Sequence, residues 1–168
     1  TLVSNSLCLT DVTLSPVTIT DAAGVNVAAG TRARLYYKKS TNANTYVDNT
    51  NATNGWKYVE ATGAGDSPFS FTTVYANIFG GVASGDIIQY FVLAQDLAGT
   101  PNISISSGTF NAAPTSVALT AAAFPLTGTI NQYSLPVGIG ADVTIGSGGT
   151  YTTLTGTGGL FEAINNSG

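Results

Sequence analysis

The sequence predicts an all-β protein: an antiparallel sandwich of seven short strands, followed by a short segment of a different style. Three observations carry this expectation. Apolar and polar residues alternate with a period of two in most segments between turn signals, the pattern of strands with one buried face. Gly, Pro, Asn and Asp cluster between those segments at short spacing, as they do in sandwiches. No 3.6-residue apolar period runs through residues 1–112.

The chain is organised around residues 86–99, its longest run of strand formers. Ile88, Tyr90, Val92 and Ala94 fall on one face and Ile87, Phe91 and Leu93 on the other. A strand apolar on both faces belongs at the centre of a sheet, covered on both sides or beside a partner. Taken in order, residues 2–9 are a weakly patterned strand. Residues 12–20 alternate better, with a change of face at Pro16 that predicts a bulge or an edge position, since proline cannot donate to a ladder. Asp21-Ala-Ala-Gly24 is a turn.

In residues 32–39, Ala33, Leu35 and Tyr37 oppose Arg34, Tyr36 and Lys38. A long polar loop, 40–55, carries five asparagines and no period. Residues 56–61 place Trp56, Tyr58 and Glu60 on one face, and residues 68–75 place Phe69, Phe71, Thr73 and Tyr75 on one face. Residues 103–110 close the set. The core expected from this patterning is Leu35, Tyr37, Trp56, Tyr58, Phe69, Phe71, Tyr90 and Val92.

After residue 112 the composition shifts. Residues 113–136 are Ala-rich, low in charge and flanked by prolines, and are expected as a connector packed on the sandwich. Residues 137–168 hold a short strand, a glycine turn and a brief amphipathic helix, similar to the cap of a parallel β-helix. One coil of such a helix cannot bury its own face. The expected organisation is therefore a sandwich over 1–112, a connector over 113–136, and the start of a solenoid over 137–168, in a chain cut from something longer.

Composition excludes several classes of function. Charged residues make up 8% of the chain, against about 25% in ordinary domains, so the surface is built of neutral hydrogen-bonding groups. Five Lys+Arg and a net charge of −4 cannot neutralise a run of phosphates, which argues against nucleic acid. No apolar run approaches the roughly 20 residues of a membrane span. Cys8 is the single cysteine, so no internal disulfide forms. With no histidine, neither the commonest general base nor a partner for a nucleophilic thiol is present. Gly146-Ser-Gly-Gly149 has no lysine for a phosphate loop.

The order of Arg34-Leu-Tyr-Tyr-Lys-Lys39, Gly55-Trp-Lys-Tyr-Val59, Pro68-Phe-Ser-Phe-Thr72 and Ile88-Gln-Tyr-Phe-Val-Leu-Ala-Gln-Asp-Leu-Ala-Gly99 resembles bacterial fibronectin type III/Ig-like modules. The resemblance covers residues 1–112. It implies a sandwich in which the Tyr90 hydroxyl bonds nearby backbone. It also implies a place in a long, secreted protein exported by the type IX system and displayed extracellularly, on the bacterial cell surface.

Two candidate sites follow. Asp21-Ala-Ala-Gly24 and Asp96-Leu-Ala-Gly99 share a pattern at strand exits. With fibronectin-type order both turns lie at one end, where Asp21, Asp96 and turn carbonyls could hold calcium. The competing reading, that each Asp caps its own turn, is preferred because two carboxylates fall short of calcium's ligand count. In the loop, Tyr46 with Asn49, Asn51 and Asn54 could bind a glycan by stacking and amide hydrogen bonds. Trp56 could join them, but it opens a well-patterned strand and is expected in the core.

The function expected is a non-catalytic structural or adhesive module, with other protein chains or the rest of its own parent as partners and no cofactor beyond that possible calcium. The alternative is a carbohydrate-binding accessory module of an extracellular polysaccharide-degrading enzyme.

Overall fold

The computed structural model describes residues 9–62, 67–135 and 143–166. The strand expected at 2–9 and the cysteine at position 8 lie outside them. The described chain is all-β and antiparallel, with seven strands: β1 (Thr13–Val17), β2 (Arg34–Lys39), β3 (Lys57–Glu60), β4 (Phe69–Thr72), β5 (Ile87–Gln95), β6 (Ile103–Ile105) and β7 (Asn131–Ser134). One short helix, α1 (Leu160–Asn166), follows.

The long apolar run becomes the middle of the larger sheet, ordered β3-β2-β5-β6. β2 runs along one side of β5, from Arg34 opposite Leu93 to Lys39 opposite Ile88. Two strands share the other side end to end. β7 pairs with Ile87 to Tyr90, and β6 pairs with Leu93 to Gln95. Serine side chains bridge the gap between them. Ser106 Oγ accepts from Val92 N at 2.9 Å, while Ser107 Oγ donates to Tyr90 O and accepts from Asn131 N. Gly108, at φ 81°, turns the chain off the sheet there, a conformation that favours glycine.

The two faces of this sheet have different covers. On the inner face, Leu35, Tyr37, Ile88, Tyr90 and Val92 pack with Leu14, Val17, Phe69 and Phe71 of the β1–β4 pair. The chain shifts register between Leu14 and Val17, around Pro16, where the change of face predicted a bulge. On the outer face, Tyr36, Trp56, Phe91 and Leu93 meet Val117, Leu119, Phe124 and Leu126. The expected core is buried except for Tyr58, which is half-buried on the edge strand.

Residues 113–136, expected as a connector, do more than pack on the outside. They supply the buried residues of the outer cover, which Tyr46 and Phe110 flank, together with the strand β7 and the core residues Tyr133 and Leu135. The packed body thus extends to Leu135, well past residue 112. The cover is irregular, so its backbone polar groups need side-chain partners, and polar groups of the sheet and the 40–55 loop provide them. Tyr36 Oη donates to Val117 O at 2.8 Å and accepts from Leu119 N at 3.1 Å. Gln95 Oε1 accepts from Val117 N. Asn44 bonds both N and O of Leu126.

In the C-terminal piece, Ile145 and Tyr151 form one parallel bridge across a glycine-rich turn, and α1 follows. Ile145, Leu154, Phe161 and Ile164 are exposed.

Candidate functional site

The loop 40–55 runs from the end of β2 to the start of β3, and its polar residues close it on the protein. Gly55 sits at φ 139°, and a Cβ there would lie 2.2 Å from Thr45 O. Only glycine lets Trp56 N reach that carbonyl at 2.8 Å. Asn49 imitates a strand residue: its Nδ2 donates to Tyr58 O at 2.9 Å and its Oδ1 accepts from Tyr58 N at 2.7 Å. Asn54 Oδ1 accepts from Ala43 N. The Tyr46 ring lies between Tyr36, Tyr58 and Phe124, and burial pushes its hydroxyl up to about 12. Asn51 is exposed. Of the four candidate glycan residues, the fold gathers Tyr46 and Asn49 around Tyr58, ties Asn54 to the loop's own backbone, and turns Asn51 to solvent.

Trp56 is fully buried. Its ring packs on Phe91 at 5.0 Å and its Nε1 donates to Asn44 Oδ1 at 3.0 Å. The stacking face that a sugar would need is thus occupied by the protein.

Two buried lysines hold the loop's ends, and neither stood out in the sequence. Lys38 Nζ donates to the carbonyls of Lys39, Ser40 and Asn42 and lies 5.3 Å from the Trp56 ring centre. Burial pushes its ammonium down to about 8, while the carbonyls and the ring favour the charged form. Lys57 Nζ donates to Asp48 O and Thr53 Oγ1, and burial pushes it down, opposed in part by the Asp48 charge. The signal available was a lysine on each of two strands otherwise rich in aromatic residues.

Asp48 holds the middle of the loop. Its Oδ1 accepts from the Thr53 hydroxyl at 2.7 Å and from Thr50 N and Oγ1. These bonds, the Thr53 hydroxyl first, lower its carboxyl from 3.8 to about 2. A depressed carboxyl stabilises the fold above its unfolded value and stops doing so as pH falls through its folded value. Stability should therefore decline between pH 3.8 and about 2, and Asp48→Asn should flatten that part of the curve. Urea midpoints for both proteins across that range are the measurement; parallel curves would remove Asp48 from the acid transition.

The two Asp turns do lie together. Leu97 N donates to Gly24 O, Asn26 N donates to Gln95 O, and Val25 bridges Asp96. Each carboxylate nevertheless serves its own turn. Asp21 Oδ1 accepts from Ala23 N at 2.7 Å. Asp96 accepts from Ala98 N, Asn102 N and Asn102 Nδ2, and the Asn102 side chain is the first cause of its lowered pKa. Among the described residues no group of three His, Cys, Asp or Glu side chains gathers to hold a metal. Adding EDTA should leave the melting temperature unchanged, and a drop that Asp96→Asn abolishes would reinstate calcium.

Among the described residues a cleft of about 440 Å³ lies between β1 and β6. Its floor is the inner face of β5 at Tyr90, Val92 and Ala94. It is mainly apolar, and no acid or base lines it among the described residues. Among those residues no helix is long and apolar enough to cross a membrane. Comparison with protein-family models, with curated proteins and with solved structures finds no match for this chain.

Proposed function

We propose that this chain is a non-catalytic structural or adhesive module of the fibronectin type III/Ig-like kind, part of a large secreted or cell-surface bacterial protein. The observation that carries the proposal is the strand order. β3-β2-β5-β6 faces the β1–β4 pair across one apolar core, an order that supports reading the two layers as the C′-C-F-G sheet and its opposite layer in that architecture. The side chains support the same reading. The amides of Asn42, Asn44, Asn49 and Asn54, the two buried lysines, Asp48 and Asp96 bond the protein's own backbone or turns, an arrangement suited to rigidity.

The parallel bridge of Ile145 with Tyr151, the glycine turn and α1 support the start of a β-helix-like region behind the module. A spacer between larger parts, exported by the type IX route and held at the cell surface, fits the neutral Asn/Thr-rich composition.

The test is mechanical and chemical together. Pulled from residues 9 and 135, the module should give one discrete rupture with a length gain on the order of 400 Å. Gradual extension with no rupture would remove the spacer role. Saturable binding on a glycan array, lost in Asn51→Ala, would replace this reading with carbohydrate recognition.

A further inference from the structure

We propose that Asn49 is an edge plug: its side-chain amide stands where a neighbouring strand would lie and keeps β3 from pairing with β3 of a second copy of this chain. β3 pairs with β2 from Lys57 opposite Tyr37 to Glu60 opposite Arg34. Hydrogen bonds fix which backbone groups face the other way. Ala61 N donates to Ala33 O beside β2, whereas Trp56 N donates to Thr45 O in the loop. Tyr58 lies two positions from Trp56 and turns both its N and its O away from β2, as every second residue of an antiparallel ladder does. Both groups go to Asn49: Tyr58 N donates to Oδ1 at 2.7 Å, and Nδ2 donates to Tyr58 O at 2.9 Å. A side chain, not a strand, therefore occupies this edge at Tyr58.

An amide that donates to and accepts from one residue hides the groups that make a sheet edge a template for another chain. The loop holds that amide in place. Lys57 Nζ, from the strand being covered, donates to Asp48 O at 3.0 Å and to Thr53 Oγ1 at 2.8 Å. Asp48 Oδ1 in turn accepts from Thr50 N and from the Thr53 hydroxyl. The residues on both sides of Asn49 are thus fixed, and its amide loses little further freedom in reaching Tyr58.

The partner that fits is a second copy, because the edge is complementary to itself. With both outward groups on one residue, a two-fold axis beside Tyr58 sets Tyr58 opposite Tyr58, each N donating to the other's O. Lys57 of one copy then faces Val59 of the other, and Trp56 faces Glu60, so no like charges stand directly opposite. Tyr58 and Val59 are half-buried and pack on opposite faces of the sheet. Pairing at this edge covers more apolar surface on both faces, which favours association once the plug is gone.

The test compares the full chain with Asn49→Ala by sedimentation and NMR. The unchanged chain should sediment as a monomer at concentrations where Asn49→Ala doubles in mass. In a mixture of two differently isotope-labelled Asn49→Ala chains, an NOE should join Lys57 Hα of one copy to Val59 Hα of the other, the close contact of that register. In dilute samples the Tyr58 amide should exchange slowly in the unchanged chain and about tenfold faster in Asn49→Ala, as the loss of one hydrogen bond predicts. If the alanine chain does not fold, Asn49→Ser, whose short hydroxyl cannot span both Tyr58 groups, is read in the same way. An unchanged chain that already dimerises through β3 would overturn the proposal, and so would fast exchange of its Tyr58 amide. A variant that stays monomeric, or that associates without the Lys57–Val59 contact, would overturn it as well.

Discussion

Trp56→Ala should lower the stability of the fold by about 3–5 kcal/mol, the range for deleting a large aromatic side chain from a packed core. The indole is fully buried and touches both the sheet, at Phe91, and the cover, at Phe124. Its removal leaves a void that neither a sheet nor a cover built on fixed hydrogen bonds can close. It also takes the Nε1 donor from Asn44, the residue that bonds both N and O of Leu126. Trp56→Phe keeps most of the volume and loses the donor, so it should cost less. Because Trp56 is the only tryptophan, the comparison needs urea unfolding followed by circular dichroism. A near-neutral Trp56→Ala would move the indole's role from the core to a ligand.

A chain ending at residue 112 should fail to fold cooperatively, whereas one ending at residue 135 should unfold in a single transition. The shorter chain loses Val117, Leu119, Phe124, Leu126, Tyr133 and Leu135, all buried. At about 1.5–3 kcal/mol for each large side chain, their loss is on the order of 10 kcal/mol, comparable with the roughly 5–15 kcal/mol that holds a domain together. Polar groups lose partners as well: the Tyr36 hydroxyl and Gln95 Oε1 no longer meet Val117 and Leu119. Dye binding to exposed apolar surface and the shape of the melt distinguish the outcomes. A sharp, dye-free transition in the shorter chain would make residues 113–135 an accessory rather than part of the fold.

Much of the sheet was legible because alternation is local. Leu35 and Tyr37 face one way and Tyr36 the other, as their spacing requires, and the two-faced pattern of residues 87–95 belongs to a strand covered on both sides. The cover itself was not legible. Val117, Leu119, Phe124 and Leu126 follow no period because an irregular segment imposes none, and what positions them is Tyr36, Gln95 and Asn44, far away in sequence. β7 was missed for a related reason. Asn131-Gln-Tyr-Ser134 has little strand preference of its own, and its pairing with Ile87 to Tyr90 is a backbone matter settled by the context of the neighbouring strand.

The candidate sites divide in the same way. That the Asp21 and Asp96 turns share one end followed from strand order, but which oxygens remained free for a ligand depended on Asn102 and Ala23, whose amides reach those carboxylates first. An asparagine in a loop reads the same whether it meets a sugar or a backbone. Asn49 meets Tyr58, and only the folded register could show it.

By itself the sequence determined the class: strands, turns, a bulge near Pro16, and a buried aromatic centre, all set by side-chain periodicity and by the restrictions of Pro and Gly over a few residues. The tertiary structure alone decided that the packed body reaches as far as Leu135 and which polar groups are occupied. Each of those depends on contacts between residues tens of positions apart, whose partners are chosen by burial and hydrogen-bond satisfaction in three dimensions and leave no local pattern to read.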